Sequence, residues 1–304
     1  MKIERWLREH TQSLCGKRVA VTGSTGGLGK ELCSYLAALG ASLVLLDRNA
    51  TRSNTHKESL QARFPNVEVT CVPLDLEDLL SAEAAVMRLR ELKIDVFLHN
   101  AGAYSIPRHK CASGYDNVFQ INFATPYYII RRLLPDLCER GGRVVAVGSI
   151  AHRYSRIDET DVDFSRRRAA SKVYGNAKRY LMYGLFSLFE HERDVSLAVT
   201  HPGITFTNIT AHYPKLIFAL IKHPMKWIFM SPRRAALSVL RGVFEETAYA
   251  TWIGPACFEV WGDPKKKKLR GCDPDERARI AALSEAVFET CRNTVHQTKT
   301  EEAL

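Results

Sequence analysis

Apolar residues arrive along this chain in short runs, each followed by a stretch of helical spacing. Lys17-Arg18-Val19-Ala20-Val21 is the first run, and glycine-rich residues follow it at once. A helix is predicted from about Gly27 to Leu39, ended by Gly40. Ser42–Leu46 forms a second run that closes at Asp47-Arg48. Further runs at 67–72, 94–98, 143–147 and 195–199 are predicted strands. Helices over 55–63, 78–92 and 113–138, and the segment containing Tyr174 and Lys178, separate them. Apolar strands alternating with helices specify an α/β fold, a parallel sheet covered on both faces.

After residue 204 the alternation stops. Residues 213–230 are rich in Leu, Ile, Phe, Trp and Lys, with two prolines breaking them. A helix near 232–246 and a short strand over 256–260 are expected next. The run Lys265-Lys266-Lys267-Lys268 reads as a solvated loop, and a helix over 273–292 as the last ordered element. Residues from Thr294 onward read as frayed and polar. The chain therefore divides into one domain over 16–263, an N-terminal extension over 1–15, and a basic loop and helical tail over 264–304. No internal repeat interrupts this order.

Composition narrows the class. A chain of 304 residues, 46% hydrophobic and 25% charged, can bury a substantial core. The formal charge of +10 suits an anionic small-molecule partner. Nucleic acid is not expected, because zinc-finger spacing and a basic recognition helix are both missing. The eight cysteines form no Cys-x-x-Cys pair and read as thiols of a reducing compartment. The N-terminus is charged throughout, unlike a signal peptide, and no stretch is long and charge-free enough to span a membrane. The expected location is cytoplasmic. A peripheral membrane contact through 213–230, whose lysines at 215, 222 and 226 could snorkel, and a homo-oligomer are left open.

The candidate chemistry begins at Thr22-Gly23-Ser24-Thr25-Gly26-Gly27-Leu28-Gly29. Glycines at 23, 27 and 29 let the backbone bend and approach a pyrophosphate, while the following helix offers free N–H groups to the anion. The Asp47 carboxylate could accept from adenosine ribose hydroxyls, favouring NAD by a small margin, whereas Arg48 could pair with the 2′-phosphate of NADP. Asp75 is either an acceptor for the adenine amino group or a helix N-cap. Asn100-Ala101-Gly102 after the fourth strand allows close approach of a cofactor, and Pro202-Gly203 with Thr207 forms a turn that could anchor a nicotinamide carboxamide. The Ser149 hydroxyl ends the fifth strand and can bond a carbonyl becoming an alkoxide. Asn122, in an apolar helix, needs a polar partner. Tyr174 and Lys178 share one helix face at i and i+4, so the ammonium can favour the phenolate and make the tyrosine an acid/base near neutral pH.

This ordered set resembles the short-chain dehydrogenase/reductase family over roughly 16–263, with details most similar to its retinol dehydrogenase and protochlorophyllide reductase branch. Ser149-Ile150-Ala151-His152, the acidic stretch ending Asp161-Val162-Asp163, and His201-Pro202-Gly203 carry that closer likeness. The resemblance implies a Rossmann-type doubly wound single domain and hydride transfer between NAD or NADP and an alcohol or carbonyl. It implies Tyr174 as acid/base, Ser149 as orienter of the carbonyl, Lys178 as holder of the nicotinamide ribose, and Asn122 as keeper of a water in the proton relay. No metal is expected. His99 and Ala177 depart from the family's usual Asn and Ser, and an acid at position 47 departs from the branch. The greasy 213–230 segment suggests a lipophilic substrate, or else a helix packed on the core or on a second copy. A cofactor-binding scaffold or redox sensor with little turnover is the alternative from another class.

Overall fold

A computed structural model of the protein describes residues 3–203, 230–269 and 272–302. Among these, eight strands form one sheet in the order β3-β2-β1-β4-β5-β6-β7-β8. They are β1 Arg18–Thr22, β2 Ser42–Asp47, β3 Val69–Pro73, β4 Val96–His99, β5 Arg143–Val147, β6 Ser196–Thr200, β7 Thr251–Cys257 and β8 Trp261–Lys268. Neighbouring strands from β3 to β7 run parallel, and β8 returns antiparallel on β7. The order reverses between β1 and β4. Both carboxyl ends face a crevice there, the switch point at which doubly wound sheets bind ligands.

Two apolar layers cover the sheet. One face buries α1 Ile3–His10, α2 Gly27–Ala38, α3 Ala50–Arg63 and α8 Pro232–Phe244. The other buries α4 Leu79–Leu92, α5 Asn117–Phe119, α6 Thr125–Cys138, α7 Ala170–Leu188 and α9 Pro274–Glu302. Strands buried on both faces explain the unbroken runs of Val, Leu and Ala in β1, β2 and β5. Each buried Val or Leu contributes roughly 1.5–3 kcal/mol relative to exposure.

Several sequence expectations need correction. The helix expected over 113–138 starts only at Asn117, where Asp116 accepts from the Val118 N–H, and residues Gln120–Ala124 widen into a π-helical turn. Asn49 caps α3, accepting from the Arg52 N–H at 2.9 Å, so that helix begins before the expected residue 55. The N-terminal extension is no loose appendage, since Trp6 is 1% exposed against the layer that includes α8. The lysine run is not a loop. It lies in β8, so the sheet continues past the expected domain boundary at 263. Pro255 and Pro264 face each other beside a register shift, and this hid the hairpin from a search for uninterrupted β-branched runs. The lysines are spent on an edge strand, a position where charge discourages pairing with other chains.

The tail is also ordered. Helix α9 continues to Glu302 because Ile280, Val287, Phe288, Cys291 and Val295 form one buried stripe. Tyr127 Oη and Arg131 Nη2 hold Glu285, each at 2.9 Å. Arg179 of α7 and Glu276 of α9 form an ion pair whose side chains are 5% and 4% exposed. Removing one partner of such a pair strands the other charge in a low-dielectric interior. Replacing Arg179 with Met is expected to lower unfolding free energy by about 3–5 kcal/mol in urea titrations, with less loss in the double variant Arg179→Met/Glu276→Met.

Candidate active site

The crevice opens over a cleft of about 460 Å³, and the glycine turn forms one wall. Gly23 sits at φ +66°, and a β-carbon there would stand 3.0 Å from Ala101 Cα. A β-carbon at Gly29 would overlap the Gly23 carbonyl oxygen. This close approach brings the start of α2 against the end of β1. The N-cap, Gly26, has no side-chain cap bond, so the first N–H groups of α2 lack that partner. The cradle thus fits a pyrophosphate by shape and by dipole.

Thr22 fastens this turn to β4. Its Oγ1 accepts from the Asn100 and Ala101 N–H groups, both at 3.0 Å, and lies 3.2 Å from His99 Nδ1. Asn100 Nδ2 donates to the carbonyls of Thr22 and Gly23 at 3.1 and 3.2 Å. Burial holds His99 far below its ordinary pKa, so it serves here as a neutral ring. Asn100 therefore spends its amide on the turn itself, while Ala101 and Gly102 line the cleft.

Asp47 is drawn into the turn too. Its carboxylate accepts from Ser24 Oγ, from Thr25 N and Oγ1 at 3.0 and 2.9 Å, and from Ser53 Oγ at 3.4 Å. Four donors engage it, and Ser24 and Thr25 spend their hydroxyls the same way. Arg48 is held loosely, its side chain 70% exposed and 3.5 Å from Glu77 and 3.9 Å from Asp75. Arg48 and Asp75 line a hollow of about 300 Å³ that shares Gly23, Ala101 and Gly102 with the main cleft. Asp75 accepts from the Glu77 N–H at 3.0 Å, whereas the cap of α4 is Asp78. Nearby, Glu77, His109 and Cys111 have metal-ligand chemistry within 4.8 Å of one another. His109 instead spends Nε2 on Glu77 at 2.9 Å and Nδ1 on Asn117 at 3.1 Å.

The opposite wall brings the other expected residues together. Ser149 and Tyr174 line the same cleft, where the serine hydroxyl favours the phenolate, and Tyr104 packs edge-on to the Tyr174 ring at 5.3 Å. Lys178, 2% exposed, donates to the Val147 carbonyl at 2.9 Å, with Nζ 5.8 Å from the Tyr174 ring centre. Asn122 lies in the π-helical turn, where such bulges re-aim single side chains. Its Nδ2 donates to Ala103 and Val118 carbonyls, both at 2.8 Å, and its Oδ1 accepts from the Ala103 N–H. Pro202 and Gly203 complete the rim, and Leu28 closes the glycine side. Thr207 and the segment 213–229 lie outside the described residues.

One electrostatic expectation fails in this structure. Burial pushes the Tyr174 phenol up to about 12, with Ser149 pulling weakly the other way and Tyr104 adding to the rise. Burial also brings Lys178 down to about 7. Desolvation of both groups outweighs the attraction that i, i+4 spacing suggested.

His152 and His201, noted in the sequence only as part of the family likeness, have a structural role behind the site. His152, fully buried, donates from Nδ1 to the Ser149 carbonyl at 2.7 Å, and burial lowers its pKa to about 4. It meets Trp252 edge-on at 5.6 Å, and the other face of that arrangement is His201, stacked on Trp252 at 4.7 Å and lowered by burial to about 3. This neutral stack supports the loop that presents Ser149.

Turn, bulge and the Ser149, Tyr174 and Lys178 wall border one crevice, and comparison with known proteins identifies the family. The short chain dehydrogenase family profile matches residues 17–215, and the protein belongs to that family of NAD(P)-dependent oxidoreductases. Mouse retinol dehydrogenase 12 is 31% identical over 202 residues, 64% of this chain and 63% of that protein. Dehydrogenase/reductase SDR family member 13 of Bos taurus is 30% identical over 248 residues, 77% of this chain and 64% of its own length. The short chain dehydrogenase resG of Aspergillus sclerotiorum is 31% identical over 231 residues, and the match covers 64% of its length, just under two thirds. The RhlG/NADP active-site complex of Pseudomonas aeruginosa has a TM-score of 0.58 at 25% identity, covering 78% of this chain and 93% of that one. An uncharacterized Mycobacterium paratuberculosis protein shares the fold over 94% of this chain and 95% of its own, with a TM-score of 0.67.

Lys178 makes stability depend on pH with a definite sign. Its pKa falls from 10.5 to about 7 on folding, so between those values the unfolded chain binds more protons and stability rises with pH. Replacing Lys178 with Met is therefore expected to raise the melting temperature most below pH 7. The gain should shrink progressively toward pH 10, as followed by calorimetry.

Proposed function

We propose that the protein is an NADPH-dependent carbonyl reductase acting on a lipophilic aldehyde or ketone. The observation that carries this reading is the Ser149–Tyr174 hydroxyl pair, with Lys178 one turn further on, opening into the same cleft as the glycine cradle. A bound nicotinamide dinucleotide supplies the hydride. The protein's own residues supply the proton and the geometry. Ser149 and Tyr174 present two hydroxyls to a substrate carbonyl oxygen, one to orient it and the other to protonate it. With its pKa near 12, Tyr174 holds its proton at neutral pH, which suits an acid acting on a developing alkoxide. Lys178 would hold the nicotinamide ribose, Asn122 anchors the Ala103 backbone and would keep a water in the relay, and Pro202 and Gly203 would hold the carboxamide end.

The choice of NADPH over NADH reverses the small margin that Asp47 suggested. A carboxylate with four donors from the glycine turn and α3 has little capacity left for ribose hydroxyls, and the exposed, loosely paired Arg48 can turn toward a 2′-phosphate. Asp75 lines the adenine hollow. The lipophilic substrate is supported by Leu28, Ile106 and Ile150 in the cleft walls. Among the described residues no helix is long and apolar enough to cross a membrane.

Replacing Tyr174 with Phe is expected to lower turnover of medium-chain aldehydes by about 10²–10⁴-fold while leaving NADPH binding intact. Undiminished turnover in this variant would refute the assignment. In titrations followed by nicotinamide fluorescence, NADPH is expected to bind at least about tenfold more tightly than NADH, a difference of about 1.4 kcal/mol. The reverse order would return cofactor choice to Asp47.

A further inference from the structure

A second cleft, of about 790 Å³, lies outside the crevice between α2 and α3, closed at its ends by α1 and the start of α8. Lys30, Arg52, Arg63 and Arg233 line it, with Glu31 as the one carboxylate. Most guanidinium groups with a described contact in this protein meet a carboxylate. Among the described residues, none of these four cations lies within 4.0 Å of one. Arg63 instead donates to Ser34 Oγ at 3.2 Å, and Arg52 to the Thr25 carbonyl at 3.3 Å. The second observation comes from the wall between them. His56 lines the same cleft, is 7% exposed, and keeps Nε2 buried without a hydrogen-bond partner. The His56 ring closes part of the wall beneath these cations, and four cations against the single carboxylate of Glu31 favour an anion in the cleft.

We propose that this cleft binds a small soluble polyanion bearing two or more phosphate groups. Arg63 and Arg233 approach from different elements, α3 and the start of α8, so that separated phosphates can be held together. Guanidinium groups suit phosphate oxygens because their N–H fork matches them in pairs. Hydroxyls at Ser34, Thr55 and Ser59 add neutral donors along the floor. The volume accommodates a ligand of nucleotide size, within the range of ordinary small-molecule sites.

The test is calorimetric titration of the full chain with inorganic tripolyphosphate, at physiological ionic strength and with NADPH at saturation. Saturating NADPH separates this site from the dinucleotide crevice, so the result does not depend on the proposed reaction. The expected result is saturable one-site binding, weakened at least about tenfold in Arg63→Gln/Arg233→Gln. His56→Gln is expected to weaken it less. Both arginines are exposed, so melting temperature and NADPH affinity should be unchanged in the double variant. Three results overturn the proposal: no saturable heat, equal affinity in the double variant, or loss of binding when NADPH is present. Sedimentation with phosphatidylglycerol vesicles addresses a lipid phosphate. Vesicle binding that depends on the two arginines, with no tripolyphosphate binding, would also overturn the assignment to a soluble ligand.

Discussion

The meeting of two backbones at Gly23 and Gly29 governs the geometry of this molecule. Helix α2 can begin where it does only because no β-carbon stands between its first turn and the Gly23 carbonyl. Thr22 then fixes the end of β1 to β4 through two N–H bonds, and Asn100 closes the same junction from the other side. Asp47 ties the tip of the turn to β2 and α3. The crevice at the switch point is therefore a rigid corner with three strands contributing. Its rigidity comes from polar groups that satisfy one another.

The opposite wall is organised by desolvation. Lys178 and Tyr174 are placed by a helix whose remaining face is core, and burial shifts both away from their charged forms. His152 and His201 extend this logic. Each is kept neutral by burial and used as a shaped ring with one hydrogen bond, supporting the Ser149 loop through Trp252. The site thus combines a cradle rich in N–H donors for an anion with a wall poor in net charge for the reacting groups. That division suits a charged cofactor joined to an uncharged substrate.

Much of this was legible in the sequence. Strands β1 to β6, the glycine turn and the Tyr174–Lys178 helix announced themselves through short apolar runs, glycine spacing and i, i+4 register. The structure brings Ser149, Tyr174 and Lys178 onto one wall, while Asn122 reaches the site from a π-helical turn that periodicity could not show. The partners of Asp47 were hidden because they come from two separate elements, the glycine turn and α3. The β7–β8 hairpin was obscured by Gly254, Pro255 and Pro264, residues that ordinarily punctuate strands. Helix α9 was cut short because its polar exterior dominates its composition, although the stripe of Ile280, Val287, Cys291 and Val295 recurs at helical spacing. The pKa directions depend on burial, which only the folded chain defines.

The ion pair between Arg179 and Glu276 has a consequence for biosynthesis. Arg179 is the residue after Lys178, on the helix that forms one wall of the crevice, and its counter-charge is encoded almost a hundred codons later. A nascent chain that has emerged only as far as β6 carries every strand of the crevice but lacks the neutralising partner and apolar lid that α9 provides. Such an intermediate would leave Arg179 without its counter-charge and the apolar outer face of α7 uncovered. Maturation of the crevice is thereby coupled to completion of a helix that never touches it.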